Sequence, residues 1–409
     1  MATERSDVRG VKVLLITDVF PPRGGGSGRW LWELYRRLDG LSVHVAAGIT
    51  PGAETFDRAA TLPIVRLPLS FTSWGVWSVR GASQYARALL RLRRIVSTVG
   101  PDVIHCGKCL PEGLIAALIQ RWYGIPFHCF VHGEELTLAG TSRELTRLTR
   151  RVLHESAGVI ANSRHTKDIL MQTWGVEGDH VTVMHPGVDT STFAPAPASP
   201  VVRERLGWAN RRVVLTVGAL QKRKGQDMLI RALPAIRASC SDVLYAIAGE
   251  GWERPYLERL VAEHGVSDVV QFRGVPTDAE LVECYQQCDL FALPNRQVGW
   301  DFEGFGIVLL EAQACGKPVI AGRSGGTAEA MDPPFTGRLV CCDTPDALAE
   351  TVSGLLDDAD ARRAMGARAR AWVVERFDWR VLASEACHRF AHPGLEGPGL
   401  EKTIDMLSR

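Results

Sequence analysis

Short apolar runs alternate with helical stretches along most of the chain. Each run is rich in Val, Ile, Leu or Phe and is bounded by Gly, Pro, Asn or Asp, which is the pattern of buried strands. The runs in the first half are VKVLLI (11–16), VHVAAG (43–48), DVIHCG (102–107), PFHCFVHG (126–133), GVIANS (158–163) and VTVMHPGV (181–188). Segments such as WLWELYRRL (30–38) separate them with helical spacing. The alternation predicts a parallel α/β domain.

The second half repeats the same alternation. Its predicted strands are RVVLTVG (212–218), VLYAIAGEG (243–251), VVQFRG (269–274), LFALP (290–294) and PVIAG (318–322). Helical patterns at 227–237 and 279–287 lie between them. A proline-punctuated segment around 189–200 is typical of a linker. The chain is therefore predicted to hold two doubly wound domains.

Composition limits the class of protein. The 409 residues are 46% hydrophobic and 23% charged, which suits two globular domains. No run of about eighteen apolar residues is present, and the N-terminus MATERSDVRG lacks the apolar region of a signal peptide. We expect a cytoplasmic protein with its ten cysteines reduced. No basic, aromatic-interleaved cluster predicts nucleic-acid binding.

The most informative stretch is DFEGFGIVLLEAQACGKPVIAGRSGG at 301–326. Glu303 and Glu311 flank an apolar run that the Gly304–Gly306 turn opens. The pattern predicts a loop, a helix beginning near Phe305, and then a buried strand.

This spacing suits a nucleotide sugar. At about 1.5 Å per residue, the two carboxylates lie on the order of 10 Å apart, which is the reach from a sugar across a diphosphate to a ribose. The helix N-terminus would hold phosphate, while Glu303 accepts hydrogen bonds from sugar hydroxyls and Glu311 from the ribose. The alternative is a surface helix that carries two exposed glutamates.

The run EGFGIVLLEAQACGKPVIAGRSGG resembles, without a gap, the donor-binding signature of family-four retaining glycosyltransferases of the GT-B fold. The resemblance is closest to their phosphatidylinositol mannosyltransferase-like branch. It implies two Rossmann-like domains facing across a cleft: an acceptor-side domain at 1–192 and a nucleotide-sugar domain at 193–375. It also implies a helix at 376–392 that crosses back to the first domain. The Gly/Pro-punctuated 393–409 is expected to be a flexible tail.

The same resemblance assigns residues outside the signature. Gly25 and Gly26 match a glycine pair that lies beside the donor diphosphate. In the pattern G-R-L-x-x-x-K-G, Lys224 matches the lysine, but Ala219 replaces the usual arginine. His132 matches a histidine that lies beside the transferred sugar. From the residues alone, the glycines could be purely structural, the cations solvated, and His132 a capped surface imidazole.

The resemblance therefore implies two sets of site residues. The catalytic residues are His132, Glu303 and Lys224. The donor-binding residues are Gly25, Gly26, Lys224, Glu303, Gly304, Phe305, Gly306, Ile307 and Glu311. Helix amides and Lys224 would take the place of a metal, so neither a metal nor a cofactor is expected.

The expected function is transfer of a mannosyl-type or glucosyl-type hexosyl unit, with retention, from a GDP- or UDP-sugar to a hydroxyl acceptor. The acceptor would be a lipid, a polysaccharide or a small molecule, recognised by loops around 70–82 and 105–113. The alternative, made conceivable by Ala219, is a non-catalytic scaffold that binds sugar nucleotides. The nucleotide base, the sugar, the acceptor and the oligomeric state stay open.

A basic first half adds a further expectation. Residues 1–195 hold 22 basic and 17 acidic side chains, whereas the remainder holds 25 and 29. Arg87, Arg91 and Arg94 form one stripe on a predicted helix. A solvated helix face would explain the stripe. Peripheral contact with anionic lipid at the inner face of the plasma membrane is the alternative.

Overall fold

The protein forms two compact units in a computed structural model that describes residues 10–391. The first unit comprises 10–161, 169–184 and 380–391, and the second comprises 162–168 and 185–379. The second unit resumes at 185, earlier than the sequence boundary at 192, and within it the amide of Val188 donates to the carbonyl of Phe377 at 2.9 Å. The predicted tail at 393–409 lies outside the described residues.

The first unit is built on a parallel sheet of seven strands. The strands are β1 (Lys12–Thr17), β2 (Ser42–Gly48), β3 (Ile64–Leu67), β4 (Val103–Cys106), β5 (Phe127–Val131), β6 (Gly158–Ala161) and β7 (Val181–Val183). Their order across the sheet is β3-β2-β1-β4-β5-β6-β7. The connecting helices are α1 (Gly26–Tyr35), α2 (Ala53–Ala59), α3 (Val79–Val99), α4 (Leu114–Tyr123), α5 (Glu134–Gly140), α6 (Arg143–Glu155) and α7 (Arg164–Gln172).

The second unit is built on a parallel sheet of six strands in the order β10-β9-β8-β11-β12-β13. The strands are β8 (Arg212–Val217), β9 (Val243–Ala248), β10 (Val270–Gly274), β11 (Leu290–Leu293), β12 (Val319–Gly322) and β13 (Gly337–Val340). Its helices are α8 (Pro200–Arg205), α9 (Gln226–Ser239), α10 (Arg254–Glu263), α11 (Asp278–Gln287), α12 (Ile307–Ala314), α13 (Asp346–Asp357) and α14 (Ala359–Arg376). The final helix, α15 (Trp379–Phe390), belongs to the first unit from residue 380 onward.

Burial explains why the strands were visible in the sequence. Helices cover both faces of a parallel sheet, so its strands are continuous apolar runs, and β5, β9 and β11 are buried along their whole length. The edge strands β3 and β13 escaped prediction, because only Leu67 of the first and the two end residues of the second are buried.

The last helix returns the chain to the first unit. Phe390 of α15 stacks on Tyr35 with ring centroids 6.2 Å apart and meets His105 edge-on at 4.5 Å. The ten cysteines are free thiols, as predicted, and most are buried. Among the described residues, no helix is both long and apolar enough to span a bilayer.

Candidate functional site

The centre of each sheet has the topology at which doubly wound proteins bind ligands. In the first sheet β1 lies between β2 and β4, and in the second β8 lies between β9 and β11. The strand order reverses at these points, so the loops that follow the two strands leave a crevice at the carboxyl edge. We call loops 18–25 and 107–113 the first switch site, and loops 218–225 and 294–306 the second switch site.

Lys224 and Glu303 meet at the second switch site. The Nζ of Lys224 lies 2.5 Å from Oε2 of Glu303, and Nη1 of Arg223 lies 2.7 Å from the same oxygen. The Nε of Arg223 is also 3.2 Å from a carboxylate oxygen of Asp301. The sequence pointed to Lys224 and Glu303 separately, and the structure brings them into direct contact in one ion cluster that also includes Arg223.

The cluster keeps Glu303 ionised. Burial of this carboxyl raises its pKa, but the charges and hydrogen bonds of Lys224 and Arg223 outweigh burial and hold the pKa below its ordinary value. Glu303 thus balances charge on the two cations. An entering anion would compete with Glu303 for Lys224, whose side chain is more exposed than that of Arg223.

A second, buried ion pair is joined to the cluster by a backbone hydrogen bond. Arg296 binds Asp227 in a bidentate pair at 2.8 and 2.7 Å, with both side chains buried. The amide of Arg296 also donates to the carbonyl of Arg223 at 2.9 Å. Sequence reasoning missed this pair, although an arginine three residues after a buried strand and an aspartate in the first turn of a helix were visible signals.

Backbone packing shapes the turn that precedes α12. The amide of Gly326 donates to the carbonyl of Glu303 at 2.9 Å, and a Cβ at Gly325 would lie 1.9 Å from that oxygen. Gly306 caps the helix with a φ of 93°, where only glycine is unstrained. The helix therefore begins at Ile307, two residues later than the predicted start at Phe305.

This turn offers hydrogen-bond donors. Within residues 10–391, the amides of Gly304, Phe305 and Gly306 have no protein acceptor within hydrogen-bonding distance. Ile307 begins the helix, so its amide has no intrahelical partner either. The Phe305 ring itself is buried against Phe377 and His185. In this turn, backbone donors and not side chains are available to an anion.

Glu311 lies inside α12 with only 3% of its surface exposed. Its Oε2 accepts a hydrogen bond of 2.7 Å from the hydroxyl of Tyr285, which is completely buried. The exposed-helix alternative considered from the sequence is therefore wrong for Glu311. Contact with a ribose stays a prediction, and it requires a carboxylate oxygen that Tyr285 does not occupy.

The predicted glycine pair opens α1 at the first switch site. Gly25 is the N-cap, with a φ of 138° that favours glycine, and Gly26 is the first helical residue. Both residues are exposed. The amide of Gly26, which has no intrahelical acceptor, therefore lies at an exposed position beside loop 18–25.

His132 directly follows β5, on the same carboxyl edge. Its Nε2 lies 2.8 Å from the carbonyl oxygen of Gly107, so Nε2 carries a proton and donates it. Its backbone amide donates to Glu135 at 2.7 Å, and its ring packs edge-on against Trp30 at 5.3 Å. These contacts fix the plane of the ring, which is half-buried.

Three charged residues that the sequence did not single out complete the first switch site. Asp18 follows β1, and Lys108 and Glu112 follow β4. Their position directly after two central strands, in the segments TDV and KCLPEG, was the available signal.

Ala219 is exposed on loop 218–225, and only its backbone carbonyl is engaged, by the Gln226 amide at 3.1 Å. Neighbouring cations do not fill its place. Arg223 is buried in the ion cluster, whereas Lys222 is exposed. An effect of Ala219 on diphosphate binding stays a prediction.

Comparisons with known proteins agree with this architecture. Residues 24–192 match the model described as Glycosyltransferase Family 4, and residues 200–372 match the one described as Glycosyl transferases group 1. A GDP-mannose-dependent alpha-(1-6)-phosphatidylinositol monomannoside mannosyltransferase of Mycolicibacterium smegmatis is 36% identical over 90% of this chain and 95% of its own. A D-inositol 3-phosphate glycosyltransferase of Salinispora tropica is 31% identical over 87% of this chain and 78% of its own.

Solved structures share the fold. Anabaena HepE, crystallised with UDP and glucose, superposes with a TM-score of 0.78 at 22% identity, covering 93% of this chain and 99% of its own. The two parallel sheets, the uninterrupted signature and the full-length relatives give one conclusion. The chain belongs to the family-four glycosyltransferases of the GT-B fold, in the branch of the phosphatidylinositol mannosyltransferases.

Proposed function

We propose that this glycosyltransferase moves a mannosyl unit, with retention, from GDP-mannose to a phosphatidylinositol monomannoside. The ion cluster of Lys224, Arg223 and Glu303 beside the unpaired amides of the 304–306 turn carries the proposal. The Mycolicibacterium smegmatis relative supports this donor and acceptor, because its name includes both and it matches the chain over almost its whole length.

The second switch site can hold a diphosphate without a metal. Its unpaired amides and the start of α12 would donate to phosphate oxygens, and Lys224 would neutralise the charge that develops as the nucleoside diphosphate leaves. When Lys224 moves to phosphate, Glu303 loses one of its two cations. Its carboxylate can then accept hydrogen bonds from sugar hydroxyls, while Arg223 still anchors it.

The remaining assignments follow the family. Glu311 would hold the ribose, Gly25 and Gly26 would lie beside the diphosphate, and His132 would contact the transferred sugar. The fixed ring plane of His132 supports that role, because a group that orients hydroxyls must itself be held. The scaffold alternative is not favoured, because the relatives are named as enzymes and the Lys224–Glu303 cluster is intact.

The test is a transfer assay with purified protein. Donors are GDP-mannose, GDP-glucose and UDP-glucose; acceptors are phosphatidylinositol monomannoside, phosphatidylinositol and inositol 3-phosphate, each with and without EDTA. We expect mannose transfer to the monomannoside to exceed the other combinations and to survive the chelator. Preference for a UDP-sugar or inositol 3-phosphate, or loss of turnover in EDTA that magnesium or manganese restores, would refute the corresponding part of the proposal.

We also propose that α3 brings the first unit onto anionic membranes. Arg87, Arg91 and Arg94 are all exposed on this helix, together with Leu90 at 62% exposure. Trp122 of the neighbouring α4 is 55% exposed, and Arg93 lies 5.2 Å from its ring. Exposed cations beside exposed apolar and indole side chains are the chemistry of an interfacial surface.

Vesicle sedimentation tests the membrane proposal. Wild-type protein should bind vesicles containing phosphatidylinositol and release them in high salt, since contact with anionic lipid is screened. Changing the three α3 arginines to Gln should abolish binding. The same change at Arg363, Arg368 and Arg376, exposed on α14, is the matched control and should not. Equal losses in both variants would refute the assignment to α3.

A further inference from the structure

Glu112 is a buried acid at the first switch site that the proposed reaction does not use. It lies in the turn Cys109–Gly113 after β4, and none of its surface is exposed. Its Oε1 accepts a hydrogen bond of 2.7 Å from the amide of Asp18, the first residue after β1. Its Oε2 is buried with no hydrogen-bond partner in the described part of the chain.

A buried carboxyl with one oxygen unsatisfied is costly when ionised. Burial accordingly raises the pKa of Glu112 to about 7, although the Lys108 charge and the Asp18 amide oppose the rise. The titratable groups that face it are Asp18, Lys108, Tyr85, Cys106, Cys109 and Cys129. Burial also raises the pKa of Cys106 and Cys129, and a hydrogen bond with Cys129 together with burial raises the pKa of Cys109, so these thiols stay neutral where Glu112 titrates.

Asp18 connects this acid to the surface of the site. Its carboxylate lies 3.2 Å from Nη1 of Arg23, 3.8 Å from Nζ of Lys108 and 2.5 Å from the hydroxyl of Ser70. Lys108 also lies over the ring of Trp74 at 5.5 Å. Asp18 thus contacts both loops that are expected to recognise the acceptor, around 70–82 and 105–113. Two cations, Arg23 and Lys108, lie beside its carboxylate.

We propose that Glu112 is a positioning residue whose own charge sets the affinity of the first switch site for an anionic acceptor. When neutral, Glu112 fixes the Asp18 backbone and leaves the net positive charge of Lys108 and Arg23 available to a phosphodiester. When ionised, it adds a negative charge beside Lys108, which weakens binding of the same anion. The inference rests on the proposed function only in taking the acceptor to be a phosphoinositide.

Calorimetric binding of glycerophosphoinositol between pH 5.5 and 8.5 tests the inference. This water-soluble probe carries a phosphodiester whose charge is constant over that range. The Kd of wild-type protein should rise about three- to tenfold through pH 7. Glu112→Gln, which keeps the shape and an acceptor oxygen, should bind with the low-pH affinity at every pH.

A matched control separates Glu112 from other acids. Glu144 also accepts hydrogen bonds from the 70–82 loop, with its Oε1 2.7 Å from the amide of Trp77. Glu144→Gln should keep the wild-type pH profile. A Glu112→Gln protein that follows the wild-type profile, or a wild-type protein that binds no probe at any pH, would overturn the inference.

The transfer assay distinguishes the two proposals. Probe binding with the expected pH dependence, but no mannose transfer to phosphatidylinositol monomannoside, would refute the proposed reaction and support the inference. Mannose transfer combined with a pH-independent Kd for the probe would support the proposed reaction and refute the role of Glu112.

Discussion

Replacing Glu303 by Gln should separate donor binding from transfer. The change keeps the shape of the side chain but removes the charge that both Arg223 and Lys224 contact at Oε2. A carboxamide oxygen can still accept one hydrogen bond, and Arg223 keeps its contact with Asp301. The variant should therefore fold, with two cations that are no longer balanced.

Two magnitudes follow from this geometry. Breaking a buried ion pair costs about 3–5 kcal/mol of the free energy of unfolding. Because Arg223 keeps its contact with Asp301, we expect Glu303→Gln to lose about 2–3 kcal/mol. Since Glu303 has a lowered pKa, its stabilisation is present above the ordinary glutamate pKa and is lost as pH falls through the folded value. The stability difference between wild type and variant should thus be full at pH 7 and shrink below about pH 4.

Donor binding should respond in the opposite direction. Removing one negative charge near a site for a diphosphate should tighten GDP binding by about 1–2 kcal/mol, the Coulombic scale for charges roughly 8–15 Å apart at an effective dielectric of about 20. Transfer should fall at least tenfold, because the sugar loses its acceptor carboxylate.

The assays are calorimetric titration with GDP and steady-state mannose transfer by the same preparation. Weaker GDP binding in Glu303→Gln would show that Glu303 supports the diphosphate site instead of competing for its cations. Unchanged transfer would remove Glu303 from the sugar site. Either result would mean that Glu303 does not act at the donor site as proposed.

Three further predictions concern buried or substituted positions. Glu112→Gln should match the wild-type free energy of unfolding at pH 4 and exceed it by about 3 kcal/mol above pH 7. The reason is that the carboxyl of the folded protein keeps its proton up to a pKa of about 7, whereas that of the unfolded chain does not. Equal melting temperatures of the two proteins at pH 8 would contradict this. Glu311→Gln should weaken GDP-mannose binding by about 1–3 kcal/mol, whereas Tyr285→Phe, which removes only the buried partner, should leave it within twofold; equal losses would assign Glu311 to the core alone. Ala219→Arg should tighten GDP binding by at most about 1.5–3 kcal/mol, reduced by the cost of desolvating the guanidinium. An unchanged titration would mean that position 219 does not face the diphosphate.

The sequence predicted the fold because parallel strands are buried on both faces. Their runs, such as VLYAIAG, cannot be confused with half-exposed strands, and the Gly-rich turns that follow them are equally distinctive. The family signature gave Glu303, and a matching loop gave Lys224. Their contact depends on the neighbouring positions of β8 and β11, which linear spacing does not reveal.

The first switch site was less visible for a physical reason. Asp18 and Glu112 are 94 residues apart and join through a backbone amide, which leaves no pattern in residue types. The burial of Glu112 follows from the turn Cys109–Gly113, where an acid among apolar neighbours is a weak signal on its own. Arg296 and Asp227 escaped notice likewise, because each charge looks solvated until its partner is placed beside it.

The proposed reaction depends most on Lys224, which at the second switch site should bind the donor diphosphate. Calorimetric titration of GDP into Lys224→Met and Lys222→Met compares two lysines of the same turn, one in the ion cluster and one exposed. We expect Lys224→Met to bind GDP about ten- to a hundredfold more weakly, the loss of one charge-assisted hydrogen bond, while Lys222→Met binds as wild type. Wild-type affinity in Lys224→Met, or an equal loss in both variants, would contradict it.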